Sequence, residues 1–135
     1  MARILIAAPP ESCVIVERLL AGHTLTHVST LSEAQERLRR DDFDLIFCTV
    51  MFDESKMLDL LRLAKSNPKW KGIPFVCARM KSQILSSPTL LKAVALSAES
   101  LAAAAFLNVS QYKSDAKRRI RIAVEKVLNN HPIKP

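Results

Sequence analysis

Apolar runs alternate with segments of helical periodicity along the whole chain. Most of the runs are almost continuously apolar, as strands buried on both faces of a sheet are. A further segment, residues 24–29, alternates and is rich in β-branched residues, which is typical of an edge strand. Strands are therefore predicted at residues 3–8, 24–29, 44–50, 73–78 and 103–109.

Helix signals fill the intervals between these strands. Apolar residues recur at helical spacing over residues 11–21, where Gly22 follows as a stop, and over residues 55–65 and 113–128. Thr30 and Glu33 form a capping box that begins a second helix. Ser87 and Pro88 begin a fourth helix, since serine caps an N-terminus and proline suits the first helical position.

Strict alternation of five strands and five helices predicts an α/β protein. Each crossover must be right-handed and cover a face of the sheet. The chain is therefore expected to form a flavodoxin-like, doubly wound, five-stranded parallel sheet with helices on both faces and ligands at the carboxyl ends of the strands. We expect one domain over residues 1–128 and a frayed tail over residues 129–135.

Composition supports a single globular domain. The 135 residues are 49% hydrophobic and 24% charged, which is ordinary for such a domain. The apolar run after the N-terminus is too short for a signal peptide, and no run approaches the roughly 20 residues of a membrane span. A cytoplasmic location is expected. Three cysteines without a CxxC spacing indicate buried, reduced thiols.

Most catalytic and cofactor-binding motifs are absent from the sequence. With only two glycines, the chain has neither a dinucleotide-binding fingerprint nor a phosphate-binding loop. His23, His27 and His131 do not have metal-ligand spacing. No nucleophile, base and oxyanion site can be assembled from these residues. We therefore expect no catalytic residue, no metal and no cofactor, and a protein that is not an enzyme.

Four phrases of the sequence resemble one family of signalling domains. They are RILIAAPPE at the first strand, FDLIFCTVMFDE at the third, IPFVCAR at the fourth and AAAFLNVS at the fifth. Together with the element order, they make residues 3–128 resemble the receiver (CheY-like) domain of two-component response regulators. The resemblance implies a strand order of 2-1-3-4-5 and a phosphorylation site at the carboxyl edge of the sheet.

In that family, two acidic residues hold Mg²⁺, an aspartate accepts the phosphoryl group, and a Ser or Thr and a lysine bind it. The metal and the lysine neutralise charge that develops during transfer. The resemblance places these five functions at positions that carry none of the required groups. The degenerate positions are Ala8, Pro9, Thr49, Arg79 and Val109, with Ser110 where a proline usually follows.

Two other uses of this edge remain open. Glu11, Asp53 and Glu54 lie near it and could bind a metal, although carboxylates at helix N-termini are the simpler interpretation. Arg79 could pair with Asp53 or Glu54 and hold one conformation without phosphate. A small-anion or ligand-binding domain that uses Arg79 is therefore an alternative function.

The resemblance also implies a partner surface on the fourth helix, fifth strand and fifth helix. Phe106 matches the family's switch aromatic, although core packing is the simpler role. A net charge of +7 is concentrated in the last helix, with Lys113, Lys117, Arg118 and Arg121 as candidate contact residues.

The sequence thus predicts a phosphorylation-independent, receiver-like module that acts by protein–protein contact. A homodimer is possible, and the partner is unknown. A nucleic-acid-associated protein is a further alternative that lacks a recognised binding motif.

Overall fold

The described residues of the computed structural model, 2–80, 88–108 and 116–130, form five strands and five helices. The strands are β1 (Arg3–Ala7), β2 (Thr24–Val28), β3 (Leu45–Thr49), β4 (Phe75–Arg79) and β5 (Ala105–Asn108). The helices are α1 (Pro10–Leu19), α2 (Leu31–Arg40), α3 (Met57–Ser66), α4 (Pro88–Ser100) and α5 (Ala116–Asn130). The predicted alternation is confirmed.

All five strands belong to one parallel sheet with the order β2-β1-β3-β4-β5. The predicted order and fold class are confirmed. The chain moves outward from β1 to β2, returns to β3, and then continues to β5. This reversal of direction brings the carboxyl ends of β1 and β3 together, which is where such folds form their sites.

Apolar residues fill both faces of the sheet. One core lies under α1 and α5 and includes Ile4, Ile6 and Phe47. The other lies under α2, α3 and α4 and includes Leu5, Ile46 and Phe75. Successive side chains of a strand point to opposite faces, so the continuous apolar runs of β1, β3 and β4 serve both cores.

The ends of the helices agree with the local sequence signals in most places. Thr30 and Glu33 form the predicted capping box, in which the Glu33 backbone N–H donates to the Thr30 hydroxyl at 3.1 Å. Gly22 follows α1 with a φ of +103°, a conformation that glycine adopts at little cost. Helix α4 begins at Pro88, whereas Ser87 lies outside the described residues.

Most element boundaries differ from the predicted ones by one or two residues, and two of the differences have an informative local cause or position. The tail was expected from residue 129, but α5 continues to Asn130; residues 131–135 lie outside the described part. The fifth strand begins at Ala105 instead of Ala103. Ala102 and Ala103 instead close the end of α4, because the Ala103 N–H donates to the Ala98 carbonyl at 3.0 Å.

The three cysteines are free and buried, as predicted. Cys48 and Cys77 are register partners on β3 and β4. Burial raises the pKa of the Cys77 thiol to about 12 and raises the pKa of the Cys48 thiol well above its ordinary value. Both thiols therefore stay protonated and act as small core side chains.

Candidate functional site

The carboxyl edge of the sheet is closed by small and apolar side chains. Ala8 follows β1 and is wholly buried in the α1–α5 core with Phe47 and Ala78. Pro9 precedes α1 and is half-buried. Thr49 ends β3 and is the register partner of Ala78. None of these three side chains is a carboxylate, the group that accepts a labile phosphoryl group and that most often binds Mg²⁺ in such sites.

Thr49 is a buried polar residue whose hydroxyl is unsatisfied. Its side chain has no exposed area, and its Oγ1 has no hydrogen-bond partner among the described residues. Leaving such a group buried without a partner costs about 1–3 kcal/mol. Among the described residues no base contacts the hydroxyl, and its burial leaves it no exposed area, so Thr49 is packed here as a small side chain.

Arg79 ends β4 and binds the neighbouring strand. It is half-buried, and its Nη1 donates to the Asn108 Oδ1 on β5 at 3.4 Å. The two residues are register partners. Arg79 therefore joins the carboxyl ends of β4 and β5.

The hypothesis that Arg79 pairs with Asp53 or Glu54 is wrong. The Asp53 Oδ2 accepts a hydrogen bond from the Leu31 backbone N–H at 2.8 Å, and its Oδ1 lies 3.7 Å from the Lys56 Nζ. Glu54 is exposed on the loop after β3. Asp53 thus satisfies one of the open N–H groups at the start of α2 and fastens the loop after β3 to it.

The carboxylates near this edge do not form a metal site. No group of three His, Cys, Asp or Glu side chains in the described parts of the chain could hold an ion. Asp53, Glu54 and Ser55 instead form a tight left-handed turn, with φ values of 44°, 56° and 71°. Three successive non-glycine residues in this region are strained.

The role of Asp53 could not be found from local sequence. It is 22 residues from Leu31, whose N–H it binds, so no short motif joins them. A carboxylate near the start of a helix is a general signal, but the sequence pattern associates Asp53 with α3, which follows it, and not with α2. The cap depends on a tertiary contact, in which the loop after β3 meets the start of α2 at this edge of the sheet.

A groove of about 340 Å³ lies between α4 and β5. Phe106 is half-buried: it packs against the core of the α4 side and also lines the groove. Leu96 is an exposed apolar residue of α4 on the groove's wall. The lining consists of Lys92, Ala95, Leu96, Glu99, Ala103, Ala104, Ala105 and Phe106.

The basic residues predicted to form a contact surface are only partly described. Arg118 is exposed on α5. Arg121 is also exposed, but its Nη2 donates to the Ala21 carbonyl at 3.0 Å and so helps to fix the turn after α1. Val109, Ser110, Lys113 and the side chain of Lys117 lie outside the described part.

Solved structures of known function share this fold. The chain superposes with a TM-score of 0.78 and 22% identity on the signal receiver domain of a signal transduction histidine kinase from Syntrophus aciditrophicus, covering 100% of this chain and 96% of that one. It superposes with a TM-score of 0.73 and 16% identity on a two-component response regulator from Clostridium difficile, covering 96% and 97%.

A third structure is the Mn²⁺-bound form of the response regulator Rcp1, which matches with a TM-score of 0.76 and 16% identity over 100% of both chains. No protein-family model matches the sequence, and no curated protein matches it at the sequence level. No helix in the described residues has the length and apolarity needed to cross a membrane. The chain therefore has the receiver-domain fold, with a carboxyl edge closed by Ala8, Pro9 and Thr49.

Proposed function

Because the chain has the receiver-domain fold, we propose that it is a receiver-like module of two-component signalling that acts without phosphorylation, by binding another protein. The observation that carries the proposal is the closed carboxyl edge. Thr49 replaces the phosphoacceptor and has no exposed area, while Ala8 and Pro9 replace the metal-binding pair. Phosphoryl transfer needs an acceptor carboxylate and carboxylates that bind a metal, and the side chains of Thr49, Ala8 and Pro9 are not carboxylates.

A fixed conformation at this edge supports the same proposal. In a switch, a ligand must bind one of two states more tightly than the other. Here Asp53 binds the start of α2, and Arg79 binds Asn108. These contacts fix the loop after β3 and the end of β4 through hydrogen bonds to other residues of the chain. No phosphoryl group takes part in them.

The groove between α4 and β5 is the surface that we assign to the partner. It combines the exposed apolar Leu96 and the half-buried Phe106 with Lys92 and Glu99 at its wall. Apolar residues surrounded by charged ones are the usual anatomy of a protein-binding site. We propose that the partner also contacts α5, where Arg118 is exposed, and that its surface is acidic where it meets this helix.

Affinity capture from cells with paired variants tests this proposal. Leu96→Glu places a charge in the groove and is expected to abolish capture of the specific partner. Val14→Glu is the matched control, because Val14 on α1 has the same exposed fraction, 54%, as Leu96. Capture by the wild type is expected to be equal with and without Mg²⁺ and acetyl phosphate.

The proposal is overturned by either of two outcomes. If capture requires the phosphodonor, phosphorylation controls the module. If Leu96→Glu and Val14→Glu retain the same partner equally, the groove is not the binding surface.

A further inference from the structure

Strand β2 is an edge of the sheet with open backbone groups. It pairs with β1 alone. The Thr24 N–H donates to the Ala2 carbonyl, and the Val28 carbonyl accepts from the Ala8 N–H, so Thr24, Thr26 and Val28 direct their backbone groups toward β1. In a parallel ladder the intervening residues face the other way. Leu25 and His27 therefore direct their N–H and C=O groups outward, where no described residue binds them.

This edge lacks the features that usually protect an open strand. Natural edges carry lysine, proline or a bulge, or are covered by another element. The sequence of β2, TLTHV, contains none of these residues. Beside the strand lies an open groove of about 670 Å³ between β2 and α2. Its lining residues are Leu25, Thr26, His27, Val28, Ser32, Glu33, Glu36 and Arg37.

We propose that β2 pairs with β2 of a second copy of this chain, antiparallel about a two-fold axis at Thr26. The backbone N–H and C=O groups of Leu25 and His27 point away from β1, and the two residues lie symmetrically about Thr26. The backbone of Leu25 in each copy can therefore form two hydrogen bonds with the backbone of His27 in the other. The edge is thus self-complementary, which a two-fold interface requires. Thr26 meets Thr26 of the second copy, and threonine pairs are favourable across strands.

The distribution of charge on α2 favours a second copy of this chain as the partner of β2. The first turn of the helix carries the acidic Glu33, and its last turn carries the basic Arg37, Arg39 and Arg40. A two-fold axis at β2 sets the two α2 helices side by side in opposite directions. The acidic first turn of each helix then lies near the basic last turn of the other, an arrangement in which opposite charges attract.

This inference goes beyond the proposed function, because it concerns the edge of the sheet opposite to the groove between α4 and β5. A monomeric module could still bind its partner through that groove, and a β2 dimer could form without any partner. An experiment can therefore overturn one of the two proposals without affecting the other.

Cross-linking with introduced cysteines tests the register directly. In the proposed dimer the two copies of Thr26 form a pair without backbone hydrogen bonds, with Cα atoms about 4.5 Å apart, a separation that a disulfide can span. The Thr26→Cys variant is expected to form a disulfide-linked dimer under mild oxidation. The native cysteines are buried, so they contribute little background.

Thr24→Cys is the matched control for the cross-link. Thr24 is more exposed than Thr26 and lies on the same face of β2. In the proposed register the two copies of Thr24 are separated by four residues along the strands, about 13 Å. Selective cross-linking of Thr26→Cys supports the proposal. Equal cross-linking of both variants, or of neither, overturns it.

Sedimentation equilibrium gives an independent test without oxidation. Thr26→Lys places two like charges against each other at the axis, and we expect the dimer dissociation constant to rise at least about tenfold. Ser97→Lys, at an exposed position of α4, adds the same charge elsewhere and is expected to leave the constant unchanged. A wild-type monomer at all concentrations, or a dimer that Thr26→Lys leaves intact, overturns the proposal.

Discussion

The two ends of the parallel sheet differ in how they use polar side chains. At the amino end, the His23 Nδ1 accepts from the Ala2 N–H at 3.0 Å, and its Nε2 lies 2.8 Å from the Glu125 Oε1. The Arg3 N–H donates to Asp44 at 2.8 Å. At the carboxyl end, Ala8 and the unsatisfied Thr49 fill the space between the strands.

This difference concerns the end of the sheet at which the fold usually binds ligands. Doubly wound sheets bind ligands at the carboxyl ends of their strands, so polar groups are expected there. Two described polar residues at that end contact the scaffold: Asp53 caps α2, and Arg79 joins β4 to β5. The same topology is thus present in a chain that carries Ala8 and Thr49 at the carboxyl ends of β1 and β3.

The largest effect is expected from restoring a carboxylate at the closed end. Thr49→Asp introduces a charge at a position with no exposed area. We expect it to lower the free energy of unfolding by about 3–5 kcal/mol at neutral pH, because an unpaired charge is buried. The loss should shrink at acidic pH, where the carboxyl group is neutral. Urea denaturation at pH 7 and pH 4 measures both values.

Thr49→Val is the matched variant that removes the hydroxyl and keeps the shape. Because the hydroxyl has no partner among the described residues, we expect an increase in the free energy of unfolding of about 1 kcal/mol. A decrease of similar size would mean that the hydroxyl is satisfied, and the contrast between the two ends of the sheet would be wrong.

Asp53→Ala tests whether the remaining carboxylate at this end is structural. The substitution removes the acceptor of the Leu31 N–H and the partner of Lys56, and we expect a loss of about 1–2 kcal/mol in the free energy of unfolding. Glu54→Ala is the control in the same turn and should change stability by less than about 0.5 kcal/mol. Equal losses in the two variants would show that turn strain, not the cap, is responsible.

Ala102→Gly tests a strained position at the amino end of β5. Ala102 has a φ of +68° at the end of α4, where its N–H donates to the Glu99 carbonyl. Glycine adopts this left-handed conformation without the penalty of a Cβ atom. We expect a gain of about 1 kcal/mol in the free energy of unfolding. No gain in thermal or chemical denaturation would show that Ala102 is not strained there.

The smallest effect concerns the pH dependence of the α2 cap. Hydrogen bonds from Ser29 and Thr30 lower the pKa of Glu33. The stability that Glu33 contributes is therefore present above its unfolded pKa and is lost as the pH falls through the lower folded pKa. Glu33→Gln should destabilise the protein slightly at pH 7 and not at pH 2. An equal effect at both values would exclude the charged form as the cause.

Periodicity along the chain predicted the five strands, and the resemblance to receiver domains implied their order in the sheet. Strands β1, β3 and β4 are buried on both faces, and such strands appear in the sequence as continuous apolar runs. The capping box of Thr30 and Glu33 was also visible, because both of its partners lie within four residues. Local signals of this kind do not depend on tertiary contacts.

Contacts between distant residues could not be predicted in this way. The residues that close the carboxyl edge were identified from the resemblance, but the partners of Asp53 and Arg79 were not, since they depend on how loops meet. The start of β5 was placed two residues early, because the alanines that cap α4 continue the apolar pattern of the strand. The bond from Arg121 to the Ala21 carbonyl, 100 residues away in the chain, has no sequence signature.

The most direct test of the closed carboxyl edge is an amide NMR titration with Mg²⁺ and beryllofluoride, which mimics an acyl phosphate. The control is the same titration with Mg²⁺ alone, without beryllofluoride. We predict that the amides of Ala8, Thr49 and Arg79 in the wild type do not shift. Joint, saturable shifts of these amides would show that the wild type binds the phosphoryl mimic, and phosphorylation-independent action would be wrong.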